Sequence, residues 1–536
     1  MLITNINGGS DGLMSDVDLV AKDGVLTYLD GWQDDDHSDV IFKEENIKIG
    51  VYNLIHIWRA EQRLSIRNDP FGQRQLFLYL SGGSFVITDN FWTPLKLINR
   101  YDIDWGRVEE NIIALRPSIP YETYVRDLYV IPAGTVVNAR WGAHAEVKFR
   151  HYAYMEQNES PGMNFESAVG ETIDALDATM QLVRRKWPER QIVFGNSGGL
   201  DSRLIPYFAK RNGVEVSGYF IGEEHVKQLK SRSARSADLV AKLTGTDYRV
   251  LPYDYGNPAD RINRDILVNP LGPANHFKNS GYGEYAGAMV LNAADSFVIT
   301  NDSNKWMQYI KSGIKDDELF RNYMLRPTFR GLISTEISEY IKTFSDYFRV
   351  NVPLKDTFST IRTLHQVYWN KVSPNGGFES LSRTGDFLFV YYPYLWYKSL
   401  SWQKDWFFDR KIQVGVFSKL DRRLRSIRTQ KPLPLSRDVS NTSARRWIDD
   451  KFARLDYKFR RSGIDYARWE KGSWFREAER IFISRPSKNF DELLNKNNIS
   501  LDRNCLAFQD YYDLTKLRYI TALMESGDNP DSDIVQ

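Results

Sequence analysis

Alternating hydrophobic and polar positions mark the first part of the chain, up to about residue 155, as a series of short strands. Turn-forming residues separate these segments, so the pattern predicts antiparallel sheets. Strands are predicted at residues 47–58, 63–67, 75–80 and 84–88.

From residue 164 onward the hydrophobic period changes, and helices alternate with short apolar strands. A predicted helix ends at Trp187, before Pro188, and a strand then ends at Phe194. The elements predicted after this strand are a helix at Arg203–Arg211, a strand at Val214–Gly222, a helix at Ser231–Leu243, and strands at Tyr248–Pro252 and Ser296–Thr300. Such alternation predicts a parallel sheet that binds ligands at the carboxyl ends of its strands. Beyond about residue 310 the sequence is predicted to be helical.

The most informative segment is Ser-Gly-Gly-Leu-Asp-Ser at residues 197–202, between the strand that ends at Phe194 and the helix that follows. Gly198 and Gly199 permit backbone angles that bring successive N–H groups together on an anion. Ser197 and Ser202 add hydroxyl donors, and the next helix directs its positive end to the same place. The segment therefore predicts a phosphate-binding loop.

Asp201 adds a carboxylate beside the predicted phosphates, which is repulsive unless a cation lies between them. We interpret Asp201 as a magnesium ligand. A Walker loop is excluded, because no Gly-Lys-Ser/Thr follows the glycines. The alternative is a Gly-Gly turn in which Asp201 caps a helix.

Residues 197–202 resemble the pyrophosphate-binding loop of the N-type ATP pyrophosphatases, a superfamily that includes asparagine synthetase, beta-lactam synthetase, lasso-peptide cyclases and NAD synthetases. The resemblance implies ATP and Mg²⁺ as cofactors, and an adenine nucleotide α-hydrolase-like (PP-loop) synthetase domain with a helical C-terminal extension. It also implies that adenine lies between the first two strand ends, near Phe194 and residues 219–221, with Phe220 among its contacts.

The segment Arg67–Tyr79 resembles the Arg-Asp-Pro-x-Gly stretch of the glutaminase domain of asparagine synthetase, and Val130–Val136 resembles the Pro-Gly turn near the end of that domain. The resemblance implies an Ntn-type, glutaminase-like antiparallel β-sandwich. That family carries a nucleophilic cysteine directly after the initiator methionine, whereas this chain has Leu2, which cannot attack an amide. We therefore expect an inactive glutaminase-like domain that does not hydrolyse glutamine.

Asparagine synthetases have Ser-Gly-Glu-Gly-Ala-Asp-Glu after the fourth strand of the sheet. Aligned with that motif, Thr300 and Asn301 take the nucleotide-holding positions, Asp302 matches the first acid and is our candidate for a second magnesium ligand, and Lys305 stands where the family has its metal-binding Asp. Two alternatives follow: a repaired site, in which Lys305 neutralises phosphate in place of metal charge, or a site that has decayed.

Lys431 is the candidate for the catalytic lysine that the family places after its pocket helices. The aromatic segment 386–395 lies where the family builds the wall of its substrate pocket. These aromatics either indicate a substrate larger than aspartate or belong to the core.

Composition narrows the class of protein. With 71 basic and 69 acidic residues, the charge is nearly balanced, which argues against nucleic acid as a partner. The single Cys505 excludes an internal disulfide framework, which fits a reducing cytoplasm. No signal peptide or apolar run long enough to span a membrane is recognised. A homodimer stays open as the assembly.

Together these observations predict an α/β protein with an inactive glutaminase-like domain at residues 1–155, a synthetase domain at 160–525, and a disordered tail at 526–536. The expected enzyme is an AMP-forming carbon–nitrogen ligase that adenylates a small-molecule or peptide carboxylate and transfers ammonia or an amine. The alternatives are a catalytically degenerate scaffold and an intramolecular cyclase of the beta-lactam or lasso type.

Overall fold

The structure is a computed structural model that describes residues 1–6, 13–34, 40–42, 45–98, 101–114, 117–222, 232–252, 266–267, 270–271, 287–292, 316–326, 329, 335–352, 356–372, 386–421, 423–424, 427, 473–502, 506 and 508–528. The strands of the N-terminal region are β1 Leu2–Thr4, β2 Met14–Ser15, β3 Val20–Lys22, β4 Val25–Gln33, β5 Val40–Phe42, β6 Glu45–Ile47, β7 Gly50–Trp58, β8 Arg63–Asn68, β9 Phe77–Ser81, β10 Ser84–Thr88, β11 Leu128–Val130, β12 Thr135–Arg140 and β13 Glu146–His151.

These strands form two larger antiparallel sheets and one small hairpin. The five-stranded sheet has the order β11-β9-β10-β1-β2, the six-stranded sheet has the order β13-β12-β8-β7-β4-β3, and β5 pairs with β6. Along β8, buried and partly exposed residues alternate, as expected for a strand with one face on a core. The core between the sheets contains Ile3, Ile55, Ile66 and Leu78. The prediction of antiparallel sheets in this region is confirmed.

A second region contains a five-stranded parallel sheet. Its strands are β14 Ile192–Gly195, β15 Ser217–Gly222, β16 Asp247–Pro252, β17 Met289–Asn292 and β18 Asp386–Phe389, in the order β16-β15-β14-β17-β18. All four pairings are parallel, so the predicted parallel sheet is confirmed, with β14 at its centre. The strand predicted at residues 296–300 lies outside the described residues, and the described neighbour of β14 on that side is β17.

The described α-helices are α1 Trp92–Ile98, α2 Trp105–Ile113, α3 Phe165–Lys186, α4 Leu200–Arg211, α5 Arg232–Thr244, α6 Asp316–Met324, α7 Thr335–Asn351, α8 Thr357–Val372, α9 Lys411–Leu420, α10 Ser473–Ser484, α11 Lys488–Lys496 and α12 Phe508–Ser526. Short 3₁₀ segments cover Lys398–Ser401 and Lys404–Arg410. None of the helices in the described part of the chain is both long and apolar enough to cross a lipid bilayer.

The helix after β14 begins earlier than predicted. The sequence predicts a start at Arg203, but α4 starts at Leu200, with Gly199 as its N-cap residue. Asp201 and Ser202 thus belong to the first helical turn, where a carboxylate is favoured by the helix dipole. The segment predicted to bind phosphate is therefore part loop and part helix.

The β-sandwich and the parallel sheet meet along a polar and aromatic boundary. Asp34, just after β4, accepts hydrogen bonds from Arg185 of α3 at 3.0 Å and from the Tyr394 hydroxyl at 2.7 Å. Phe71, in the turn between β8 and β9, stacks on Tyr392 with ring centroids 3.7 Å apart. The sandwich therefore packs against the segment that follows β18.

Candidate functional site

The candidate loop leaves the carboxyl end of β14, the central strand of the parallel sheet. Asn196, the first residue of the loop, forms two hydrogen bonds that hold it in place. Its backbone N–H donates to Tyr219 O at 2.7 Å, and its side-chain amide donates to Ala237 O on α5 at 2.9 Å. The loop is thus fixed to both the neighbouring strand and the next helix, which holds its geometry rigid.

The two loop glycines have different structural reasons to be glycine. Gly198 has a φ of +65°, and a Cβ there would lie 2.6 Å from Ser236 Cβ and 2.7 Å from Ala237 N. Gly199 has φ −71° and ψ 171°, a conformation open to any residue. The expectation of unusual backbone angles at both positions is confirmed for Gly198 and wrong for Gly199.

The start of α4 has backbone donors that no side chain caps. Gly199 provides no side-chain hydrogen bond as N-cap residue, so the N–H groups of the first turn face the loop without the partner that Ser, Thr, Asp or Asn usually supplies. Exposed Ser197 lies beside them, its Oγ 3.3 Å from Ser202 Oγ. Hydroxyls and first-turn N–H groups are the donors that bind anions at helix N-termini.

Arg203 holds the loop in place through hydrogen bonds to backbone carbonyl oxygens. Its guanidinium is completely buried and donates twice to Gly198 O, at 3.1 and 2.8 Å. It also donates to Leu424 O at 2.7 Å and to Ile427 O at 2.9 Å, both beyond α9. Burial, followed by the charge of Arg410, lowers the pKa of Arg203 to about 10, so the side chain stays cationic at neutral pH.

Asp201 is partly exposed and contacts a buried glutamine of α9. Gln413, which has no exposed surface, donates its side-chain amide to Asp201 Oδ1. Tyr391 is equally buried near this pair: burial and then the Asp201 charge raise the pKa of its hydroxyl well above the ordinary value, while a hydrogen bond from Gln413 acts to lower it. The predicted metal ligand therefore has a polar neighbour on its inner side.

The two predicted adenine contacts differ in accessibility. Phe194 is completely buried, and its ring lies against the Cα side of Gly218, 3.1 Å from the position of a Cβ there. A ring in that position is a core residue, which differs from the expected contact with adenine. Phe220, on β15, is only partly buried.

Four predicted site residues, Thr300, Asn301, Asp302 and Lys431, lie outside the described residues, as does Lys305. Within the described ranges, no group of three or more His, Cys, Asp or Glu side chains is arranged to hold a metal ion. Asp201 is therefore the one predicted metal ligand whose surroundings the structure describes.

The first strand of the region predicted to be glutaminase-like begins at the residue that replaces the expected cysteine. Leu2 lies in β1 and pairs with Thr88 of β10. Polar side chains of the six-stranded sheet and the turn after β8 bind one another: Asn53 Nδ2 donates to Asp30 at 3.0 Å, and Arg74 forms an ion pair with Asp30 at 2.8 Å. Their hydrogen-bonding capacity is used for structure.

The segment Arg67–Tyr79, which was predicted to resemble a glutaminase, contains a tight turn built on Asp69. This carboxylate accepts backbone hydrogen bonds from Tyr52 at 3.3 Å, Phe71 at 2.9 Å and Gln73 at 3.1 Å. Its complete burial outweighs these bonds and raises its pKa from 3.8 to about 6. The turn presents Phe71 to Tyr392, so the segment joins the two sheet regions.

The aromatic segment after β18 is buried. Tyr391, Tyr392 and Trp396 are each less than 4% exposed. Core packing accounts for these aromatics, which the sequence left open between a core and the wall of a substrate pocket.

Sequence reasoning missed two residues that shape the site, Gln413 and Arg203. Gln413 lies far from the loop in sequence, and a lone glutamine on a helix gives no signal. Arg203 directly follows the loop, and a cation one residue after a Ser-Gly-Gly-Leu-Asp-Ser segment was a signal available in the sequence.

No protein-family model and no curated protein matches the sequence. Among solved structures, the match to NMN synthetase from Francisella tularensis covers 36% of this chain and 98% of that chain, at 10% identity and a TM-score of 0.18. NH₃-dependent NAD synthetase from Campylobacter jejuni subsp. jejuni matches 39% of this chain and 97% of its own, at 14% identity and a TM-score of 0.19.

Glutamine phosphoribosylpyrophosphate amidotransferase from B. subtilis matches 51% of this chain and 56% of its own, at 10% identity and a TM-score of 0.15. These TM-scores are too low for the similarities to support a shared function. The evidence for a function therefore lies in the geometry of the site.

Proposed function

We propose that this protein is an ATP-dependent, AMP-forming ligase of the asparagine synthetase type, which joins a substrate carboxylate to ammonia or an amine. One observation carries the proposal: the segment 197–202 joins the central strand of a parallel sheet to a helix whose first turn has no side-chain cap and contains Asp201. Ligands of parallel sheets bind at this edge.

In the proposed reaction, the first-turn N–H groups of α4 and the hydroxyls of Ser197 and Ser202 bind the pyrophosphate portion of ATP. Gly199 leaves room for the phosphates to approach the backbone. Asp201 would hold Mg²⁺, which, when bound, neutralises phosphate charge. Phe220 is the proposed neighbour of adenine.

The proposed reaction has two steps, an adenylation followed by an acyl transfer. A carboxylate oxygen of the substrate attacks the α-phosphorus of ATP, and pyrophosphate leaves. The nitrogen nucleophile then attacks the acyl carbon, AMP leaves with the bonding electron pair, and the nitrogen loses a proton. The protein contributes positioning and charge stabilisation, with Lys431 proposed to stabilise charge in the second step.

The nitrogen source is proposed to be free ammonia or an amine. Leu2 cannot act as a nucleophile on glutamine, and Asp30, Asn53 and Arg74 are engaged with one another. The proposed setting is the cytoplasm, with ATP and a small-molecule or peptide carboxylate as partners and a homodimer left open.

A second carboxylate for Mg²⁺ is proposed from the chain beyond β17, together with Thr300 and Asn301 as nucleotide contacts. Asp302 is the proposed ligand. Asp295, which follows the last residue of β17 by three positions, provides the comparison. We expect Asp302→Asn to raise the Mg²⁺ requirement; the same increase in Asp295→Asn instead would move the assignment to that residue.

Pyrophosphate release tests the proposal. Purified protein is incubated with Mg-ATP, ammonium and a panel of carboxylic acids, and compared with Asp201→Ala. Acid-dependent pyrophosphate release that Asp201→Ala abolishes is the expected result. Release from none of the acids, combined with retained ATP binding, would contradict the ligase and favour a nucleotide-binding scaffold.

A further inference from the structure

The inner side of Asp201 is lined by polar groups that the proposed reaction does not otherwise use. Gln413 and Tyr391 have no exposed surface, yet both carry polar side chains. Burying a polar group costs free energy unless it is hydrogen-bonded. Their presence beneath the loop, where apolar residues would pack at lower cost, calls for a role.

The contacts arrange these groups in a row. Gln413 Nε2 donates to Asp201 Oδ1. Gln413 Oε1 and the Tyr391 hydroxyl are both buried, and the influence of Gln413 and Asp201 on the pKa of Tyr391 indicates that the three side chains lie close together. The side-chain amide of Gln413 has two N–H donors, and the hydrogen bond that acts to lower the pKa of Tyr391 is donated by Gln413.

Gln413 is held in place by its helix. Gly415 lies so close to α3 that a Cβ there would be 2.5 Å from Val169 Cγ2. This contact fixes α9 against α3, and Arg203 binds the carbonyl oxygens of Leu424 and Ile427 beyond α9. The amide that reaches Asp201 thus comes from a rigid element.

We infer that Gln413, supported by Tyr391, is a positioning residue that holds the Asp201 carboxylate in the orientation needed to bind Mg²⁺; this inference rests on the proposed function. A carboxylate has about four lone-pair sites on two oxygens, so it can accept an amide donor on Oδ1 and also bind a cation. Groups that orient a metal ligand through a hydrogen bond fix its direction without touching the metal.

The test measures the Mg²⁺ concentration that half-saturates ATP binding. The variants are Gln413→Met, which keeps the volume and removes the amide, and Tyr391→Phe, which removes one hydroxyl. Gln366→Met is the matched control, because Gln366 is also completely buried but donates to Pro70 O at the boundary with the sandwich.

We expect Gln413→Met to raise the half-saturating Mg²⁺ concentration about ten-fold or more, and Tyr391→Phe to raise it less. ATP binding without Mg²⁺ is expected to stay unchanged in both, and Gln366→Met is expected to keep the wild-type Mg²⁺ requirement. A purely structural role for Gln413 would not raise the Mg²⁺ requirement while leaving ATP binding without Mg²⁺ unchanged.

An unchanged or lowered Mg²⁺ requirement in folded Gln413→Met overturns the inference, because a lowered value means that the amide competes with the metal. If Gln413→Met does not fold, Tyr391→Phe decides: an unchanged requirement overturns the inference. Wild-type protein that binds ATP without any Mg²⁺ dependence overturns both the inference and the metal role of Asp201. Mg²⁺-dependent ATP binding without ligase activity would remove the proposed reaction and leave the inference standing.

Discussion

Alanine substitutions at the two loop glycines distinguish an effect on protein stability from an effect on the proposed binding of phosphate. At Gly198, alanine must adopt a φ of +65°, which costs about 1–2 kcal/mol. Its Cβ would also lie 2.6 Å from Ser236 Cβ and 2.7 Å from Ala237 N, and overpacking of this kind costs about 1–3 kcal/mol. The Gly198→Ala variant should therefore lose about 2–5 kcal/mol of stability.

At Gly199, the backbone already has angles that alanine adopts freely, and the closest atom to an added Cβ is Ser197 Oγ at 3.1 Å. Loss of a glycine N-cap is offset by the lower entropy of the unfolded chain, so stability should change by less than about 1 kcal/mol. The methyl group would instead obstruct the approach of phosphate to the N–H groups of α4. ATP affinity should fall about ten-fold, which corresponds to about 1.4 kcal/mol.

Thermal unfolding and calorimetric titration with Mg-ATP distinguish the two variants. We expect Gly198→Ala to melt at a lower temperature than wild type, and Gly199→Ala to melt with wild type but bind ATP more weakly. Equal melting temperatures for the two variants would refute the account of Gly198. Wild-type ATP affinity in Gly199→Ala would refute the placement of phosphate at the start of α4.

Three further predictions concern residues around the site. Arg203→Met should lower the free energy of unfolding in urea by about 3–5 kcal/mol, because it leaves buried carbonyl oxygens without donors. A loss no larger than that of an exposed arginine variant would show that these hydrogen bonds do not stabilise the loop. The pKa of Asp69 is about 6 in the folded protein against an ordinary value of 3.8, so its ionisation should remove about 3 kcal/mol of stability as pH rises from about 4 to 6. Asp69→Asn should abolish this dependence of stability on pH, and an unchanged dependence would show that another group causes it. Phe71→Ala should cost about 3–5 kcal/mol by removing a buried ring that stacks on Tyr392; a melting temperature equal to wild type would show that the stack does not stabilise the boundary.

The elements that depend on local hydrophobic period could be predicted from the sequence. The helix ending at Lys186, the strand β14 and the helix α5 agree with the predictions within a few residues. The start of α4 was missed by three residues because Asp201 and Ser202, typical of loops, are also favoured in a first helical turn. Sequence alone does not choose between these two uses.

The strand beside β14 shows where a short apolar run is ambiguous. Met289–Asn292 forms β17, although only four residues carry the signal and no turn motif frames it. The segment 296–300 has a similar run of three apolar residues, Phe-Val-Ile, and was the one predicted to form a strand. Position in a parallel sheet depends on long-range pairing, which a local pattern does not encode.

The reasons for individual site residues were the least predictable. A glycine pair indicates a loop, but only the packing of α5 explains why Gly198 must be glycine and Gly199 need not be for the fold. Phe194 is an apolar residue beside the loop, which made it a candidate contact for adenine, but the sequence does not reveal that its ring is fully buried. Gln413 approaches Asp201 from more than two hundred positions away in sequence, and no spacing rule relates them.

The most direct test of the central claim is the Mg²⁺ dependence of ATP binding, measured by calorimetry in wild-type protein and in Asp201→Asn. Asparagine keeps the shape of the side chain and removes the charge that a cation requires. We expect Mg²⁺ to strengthen ATP binding to the wild-type protein and this strengthening to be lost in Asp201→Asn. Absence of ATP binding in wild type, or an equal effect of Mg²⁺ in both proteins, would contradict it.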